Sequence, residues 1–254
     1  MKRIRMVGLC LVAVFAMTAV AAASASAAAP EYLVCGKAAK VGKTYTGKFS
    51  NKECTDSVAT GGKYELAPYT SAKKLALKTK SGASSLDVYI PGKGIAGETT
   101  CAKSKGEGTI TGAKTATAVI TFEKCEEAGK VCTSLQAGTK KGEIVTQTLD
   151  ETLVASSSSK TGVANEVKGG GAGNLSASFN CEGAEFITTG TVAGEVTAVG
   201  VASKSQSLVF EITAEGAPKI ASAEPLLTDV VGTATLPSGE DVTTEIKGEA
   251  FYIS

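Results

Sequence analysis

Pairs of carboxylates are the residues of this sequence best suited to catalysis. Glu182 lies three positions before Glu185, and Glu240 directly precedes Asp241. Two carboxyl groups, one acting as acid and the other as nucleophile or base, suffice to hydrolyse a glycosidic bond. Such enzymes also need a substrate cleft, and both pairs lie beside glycines and other turn-forming residues. We therefore expect these acids to lie in turns, and we assign no catalytic residue.

Two short motifs share the spacing of known sites but lack the context that those sites need. The segment GKGIAG, residues 92–97, has the glycine spacing of a dinucleotide-binding loop, but no helical period follows it. Residues 71–74 read S-x-x-K, without the partner motifs of penicillin-binding enzymes. The chain has no histidine, which excludes a serine triad and an imidazole metal ligand. We predict no cofactor and no metal site.

The first 27 residues have the features of a secretory signal peptide. Lys2, Arg3 and Arg5 precede an apolar run over residues 6–23, and the sequence ASA at 25–27 forms a small-residue cleavage site. The chain that follows contains no arginine, histidine or tryptophan, and no second long apolar run. We therefore predict an exported protein, secreted or associated with the cell envelope, with no transmembrane span after signal cleavage.

Charge is unevenly distributed along the chain. Residues 28–80 hold ten lysines and four acids, a net charge of +6, whereas residues 81–254 hold thirteen lysines and twenty-one acids, a net charge of −8. A net charge of −2 over both parts, without arginine, does not provide the concentrated positive field that nucleic-acid binding needs. The basic segment either forms a solvated surface beside the acidic part or faces a partner, for which we consider an anionic cell-envelope polymer or another extracellular protein.

Residues 42–66 repeat one pattern three times, in which Gly-Lys is closely followed by an aromatic residue. The six residues concerned form a candidate ligand surface: Lys43, Tyr45, Lys48, Phe49, Lys63 and Tyr64. The alternative is a scaffold, in which the glycines mark strand starts or bulges and the rings form a small core. The pattern favours the scaffold, which leaves the lysines without a structural explanation.

Six cysteines follow the predicted signal peptide: Cys35, Cys54, Cys101, Cys125, Cys132 and Cys181. An even number of cysteines in an exported chain indicates a disulfide framework. Proximity in sequence favours Cys35–Cys54 and, across a hairpin tip, Cys125–Cys132. Cys101–Cys181 is then the pair that is left.

Apolar and polar residues alternate in many short segments of the chain. In one of them Leu86, Val88 and Ile90 share a face, with Asp87 and Tyr89 on the other. Turn-forming segments separate such runs at 91–94, 126–129, 168–174, 215–218 and 237–241. This organisation predicts an all-β fold, an antiparallel β-sandwich or barrel over residues 71–254, preceded by a small disulfide-linked β module over residues 28–70.

Five segments in a fixed order carry a resemblance to known proteins: GKYEL (62–66), CAKSKGEGTITG (101–112), FEKCEEAGKVCTS (122–134), GEIVTQTLDETL (142–153) and FNC (179–181). Over about residues 30–215 the chain resembles a group of uncharacterised, secreted, cysteine-containing bacterial proteins. The resemblance implies export, disulfides and a β-rich domain. The group has no established activity, so the resemblance assigns no functional residue.

Together these features predict a secreted, non-catalytic binding or structural protein of the extracellular space or cell envelope, stabilised by disulfides. One alternative is a carboxylate-based polysaccharide hydrolase, which requires two acids about 5–10 Å apart in a cleft. The other is a carrier of an apolar small molecule, which requires a continuous apolar cavity of a few hundred Å³ inside a β-barrel.

Overall fold

The structure of the protein, a computed structural model, describes residues 29–70, 74–222 and 224–254. The predicted signal peptide and the first three residues of the S-x-x-K motif lie outside these ranges. The described residues form β-strands and no helix, which confirms the all-β prediction. The strands are β1 Tyr32–Lys37, β2 Lys40–Val41, β3 Thr44–Tyr45, β4 Gly47–Phe49, β5 Ser57–Gly62, β6 Tyr64–Pro68, β7 Leu75–Ser81, β8 Ser84–Ile90, β9 Gly94–Ile110, β10 Thr115–Glu127, β11 Lys130–Ser134, β12 Glu143–Val145, β13 Leu149–Ala155, β14 Val163–Gly169, β15 Leu175–Cys181, β16 Ala184–Thr189, β17 Thr191–Val196, β18 Ser203–Phe210, β19 Leu227–Val230 and β20 Ala234–Ile253.

Alternation of apolar and polar residues sets which side of each strand is buried. On β7, Leu75, Leu77 and Thr79 are buried, while Lys78 and Lys80 between and after them are exposed. Successive side chains of a strand point to opposite faces, so a period of two in the sequence produces one buried face. The same pattern recurs on β13 and β15.

The main sheet closes on itself into an antiparallel barrel. In a first circuit, the strands β7, β9, β10, β13, β14, β17, β18 and β20 pair in that order, and β20 pairs back with β7. Every strand of this circuit therefore has a neighbour on both sides. Of the two predicted architectures, the pairing corresponds to the barrel.

A second closed circuit of strands continues the barrel along its axis. It runs through β8, β9, β10, β11, β15, β16, β19 and β20, and β20 pairs back with β8. The three longest strands, β9, β10 and β20, belong to both circuits and use opposite halves of their length in each. The two circuits are thus stacked along the barrel. At each of the remaining positions around it, two or more shorter strands take the place of one long strand.

The N-terminal strands form a smaller sheet beside the barrel. β4 pairs with β5 and β6, β6 pairs with β1, and β1 also pairs with the end of β20. The cross-strand partners Phe49 and Tyr64 are both half-buried. The predicted bridge Cys35–Cys54 is confirmed and ties β1 to the loop between β4 and β5. The domain boundary at residue 70 stays a prediction.

The other two predicted disulfides are wrong. The bridges are Cys101–Cys125 and Cys132–Cys181, each with a Cα–Cα distance of 4.0 Å. In the strand register Cys101 lies directly opposite Cys125, and Cys132 directly opposite Cys181. The register between neighbouring strands, and not proximity in sequence, therefore decides which cysteines pair. The four residues form one buried row across β9, β10, β11 and β15.

The predicted turn at residues 237–241 is also wrong, because β20 runs without interruption through it. Ser238 donates its backbone N–H to Leu226, on the β19 side. The nitrogen of Pro237 therefore faces the other side, where pairing with β8 begins only at Ser238, so the proline breaks no ladder bond. The turn lies earlier, between Val230 and Ala234.

Candidate functional site

The predicted lysine–aromatic surface is not gathered into a concave site. Lys43, Lys48 and Lys63 are exposed, and the three aromatic partners are half-buried on separate short strands. The Tyr45 ring has a cation contact, with the Lys40 Nζ 4.5 Å from its centroid. None of the six residues lines a cavity described below. Their role as a ligand surface stays a prediction.

A cleft of about 800 Å³ lies instead where the N-terminal sheet meets the barrel. Its volume is within the range of ordinary small-molecule sites. Val34, Tyr69 and Leu75 are buried or half-buried and supply its apolar floor. Four exposed lysines from four different segments line its edge, and we call it the lysine cleft: Lys52, Lys78, Lys204 and Lys247.

Two of these lysines are direct cross-strand neighbours. Lys78 of β7 is the register partner of Lys247 of β20, on the outer face of the barrel. Like charges placed directly opposite each other in an antiparallel pair are destabilising. An anion between them would remove that repulsion.

A single carboxylate neutralises part of this surface. Glu245 lies 3.1 Å from the Nζ of both Lys80 and Lys247, and accepts a hydrogen bond from Ser205 Oγ at 2.8 Å. The hydrogen bonds from Ser205, Lys247 and Lys80 lower the pKa of Glu245 to about 2. Within the described part of the chain, Lys78 and Lys204 form no ion pair.

The loop that carries Lys52 is held in place by several contacts. The Asn51 side chain accepts hydrogen bonds from the backbone N–H groups of Thr55 and Asp56, at 3.0 and 3.3 Å. Tyr252 donates its hydroxyl to the Cys54 carbonyl, and the Cys35–Cys54 bridge anchors the loop to β1. The loop therefore forms a wall of the cleft that these contacts hold in one position.

The lysine cleft also contains two carboxylates, Glu53 and Glu249. Glu53 lies 3.8 Å from the Nζ of Lys52. With Glu245 beside Lys247 also counted, four lysines and three acids leave the cleft with a small excess of positive charge. Two acids in an open cleft are also the minimum that a glycosidase needs.

A second cavity, of about 130 Å³, lies inside the barrel where the two circuits meet. Its wall includes residues with short side chains, among them Ser84, Ser104 and Ala177, which leave this space open. Leu208 and Phe210 are among its apolar members. We call it the interior cavity.

Two acids line the interior cavity. Burial raises the pKa of Glu240 to about 7, and burial likewise raises the pKa of Glu151 above its ordinary value. Asn165 donates its amide to Glu151 Oε2 at 2.8 Å. Within the described residues, Glu240 has no hydrogen-bond or ion-pair partner.

The predicted carboxylate pairs are not brought together as catalytic pairs. Glu240 lines the interior cavity, whereas Asp241 follows it on the exposed outer face of β20. Glu182 is exposed in the β15–β16 turn, as expected, 3.8 Å from the Lys141 Nζ. Glu185 is a half-buried residue of β16.

Most residues of the two cavities were not found from the sequence. The alternating lysines of KKLALKTK were a usable signal for Lys78, because they predict a basic strand face. Lys247 and Lys204 join Lys78 only through barrel closure. For Glu151 and Glu240, the signal was an acidic residue at a position where the alternation of buried and exposed residues along the strand points the side chain into the barrel.

Other site types find no support in the part of the chain that is described. Over these residues, no group of three or more cysteine or acidic side chains is placed to hold a metal ion. Among them, no helix has the length and apolarity needed to cross a bilayer. The three disulfides indicate an oxidising compartment.

Comparison with known proteins identifies no relative: no family model, no curated protein and no solved structure matches the chain.

Proposed function

We propose that this is an exported, non-catalytic binding protein that holds an anionic cell-envelope polymer in the lysine cleft. The observation that carries the proposal is the cross-strand pair Lys78 and Lys247 at the edge of a cleft of about 800 Å³. The fold maintains this like-charge pair with Lys78 unneutralised, and an anionic ligand would turn the repulsion into attraction.

The chemistry of the cleft favours a repeating anion over a single tightly held group. Beyond the predicted signal peptide the chain has no arginine, so it cannot form the bidentate fork that fixes one phosphate or carboxylate. Lysines act as separate point charges on flexible stems. Lysines from β7, β18, β20 and the β4–β5 loop suit a ligand with several spaced charges, lying on the apolar floor of the cleft.

Export is part of the proposal. The three disulfides, which stabilise proteins in oxidising surroundings, support it. The predicted signal peptide and the resemblance to secreted bacterial proteins point the same way.

Affinity measurements on cleft variants test the proposal. The probes are inorganic polyphosphate and polygalacturonate, which present repeating phosphate and carboxylate groups respectively. The Lys78→Gln/Lys204→Gln variant should bind the probe that wild type binds more tightly, but about 2- to 30-fold more weakly than wild type does. This range counts two lost ion pairs with the ligand, at about 0.2–1 kcal/mol for each exposed pair. Wild-type affinity should fall as the NaCl concentration rises, because salt screens exposed charges.

The matched control is Lys43→Gln/Lys63→Gln, which removes two exposed lysines that lie between N-terminal strands and outside the cleft. It should bind as wild type does. Equal losses in both double variants would mean that only net charge matters, and would contradict a site in the cleft.

The presence of Glu53 and Glu249 in the same cleft favours one second candidate, a carboxylate-based hydrolase. Release of reducing ends from polygalacturonate by wild type, abolished in Glu53→Gln or Glu249→Gln, would establish it. Binding without any release of reducing ends would leave the non-catalytic function standing.

A further inference from the structure

The interior cavity contains a polar group that the fold leaves without a partner. The Glu240 carboxyl group in its wall has no hydrogen-bond or ion-pair partner within the described residues. Buried polar groups in native proteins are nearly always bonded, and an unbonded group is costly. A partner for this carboxyl group is therefore expected inside the cavity.

Water alone does not suit most of this space. The cavity of about 130 Å³ is many times the space of about 10–15 Å³ that one water needs, and most of its wall is apolar. Buried water requires about two to four polar partners for each molecule. Apolar cavities of about 150 Å³ stay dry and accept benzene, so a volume of this size matches a six-membered ring.

A smaller neighbouring void shows the contrast. It measures about 20 Å³, and it is lined by Glu151, Asn165 and Gln206. Asn165 Oδ1 and both polar atoms of the Gln206 amide are buried there without partners. One water fits this volume and finds enough polar partners. The interior cavity differs because it is larger and most of the surface that lines it is apolar, with Ser, Thr and Glu side chains forming the rest of its wall.

We infer that the interior cavity is a binding site for one ring-sized apolar molecule that carries a single hydrogen-bond-donating group directed at the Glu240 carboxyl group. This inference goes beyond the proposed function, because the interior cavity and the lysine cleft share no residue. The cavity is smaller than the few hundred Å³ expected for a lipid carrier. The ligand is therefore a small monocyclic compound.

The test measures thermal stability of the full protein with benzyl alcohol, benzylamine and toluene as probes. At ten times its dissociation constant, a bound probe should raise the Tm by about 3–6 °C. Benzyl alcohol or benzylamine should bind about 2- to 10-fold more tightly than toluene, which has no donor. Intermolecular NOEs to the methyl groups of Leu208 and Ile246 should place the probe in the cavity.

Two variants separate the site from general effects. Glu240→Leu should remove the preference for the donor-bearing probe while toluene still binds. Ala177→Leu fills the cavity and should abolish binding of all three probes; if it does not fold, Leu226→Phe serves the same purpose. The inference is overturned if no probe shifts the Tm or shows an NOE at millimolar concentration, or if binding persists in the filled variant.

Discussion

Glu240→Gln should make the protein more stable at alkaline pH. In wild type the pKa of Glu240 is about 7 in the folded state against 4.5 ordinarily, because burial disfavours the charged form. Between these two values the folded state binds more protons than the unfolded state, so stability falls as the pH rises. Above pH 7 the full cost of the buried charge is present. The neutral amide of glutamine has no such cost.

The magnitude follows from the size of the shift. A difference of 2.5 pKa units at 1.36 kcal/mol each is about 3 kcal/mol. For a chain of this length, that corresponds to about 6–12 °C in Tm. Glu240→Gln should therefore match wild type at pH 4.5 and exceed it by up to this amount at pH 8, with the difference growing across the interval.

Differential scanning calorimetry of both proteins at several pH values between 4.5 and 8 measures this difference. Other acids with raised pKa values, such as Asp87, titrate in both proteins and cancel in the comparison. Glu215→Gln, at an exposed turn, is the matched control and should run parallel to wild type. A stability difference that is constant over this pH range would refute the description of Glu240 as a desolvated acid.

Three further predictions concern stability. Phe179→Ala should lower the free energy of unfolding, measured by urea denaturation, by about 3–5 kcal/mol, because Phe179 is fully buried and stacks on Phe186 at a centroid distance of 5.1 Å. A loss below about 1 kcal/mol would contradict this packing. Gly106→Ala should lower the Tm, at a cost of about 1–3 kcal/mol, because the new Cβ would lie 2.6 Å from the Val119 carbonyl oxygen. An unchanged Tm would contradict this close approach of β9 and β10. Glu245→Gln should flatten the loss of stability between about pH 4.5 and pH 2 in acid titrations, because the lowered pKa of Glu245 stabilises the folded state above that range; an acid transition identical to wild type would contradict the role of its ion pairs.

Local patterns were sufficient to predict the fold class. The alternation in LALKT places Leu75 and Leu77 inward, and any sheet that buries one face will show it. The turns at 91–94 and 168–174 follow from glycine and asparagine, which accept left-handed backbone, as at Asn174 with φ 61°. Such features depend on neighbouring residues only.

Barrel closure could not be read from the sequence, and the candidate site depends on it. Lys78 and Lys247 meet because β20 pairs back with β7 at the end of the circuit. Cys101 pairs with Cys125 for a different reason: β9 and β10 form one long hairpin whose register places the two residues opposite each other, although Cys132 is nearer in sequence. For Glu240, turn-forming neighbours predicted a loop, but pairing with β8 and β19 extended the strand through them.

The most direct test of anion binding in the lysine cleft is an NMR titration of the ¹⁵N-labelled protein with inorganic polyphosphate or polygalacturonate, whichever binds more tightly. We predict that the largest amide shift changes occur at and beside Lys78, Lys204 and Lys247, with smaller changes at Lys52, and that they disappear at high salt. Changes confined to residues 43–49 and 63–64, which lie outside the cleft, or no changes with either polymer, would contradict the proposal.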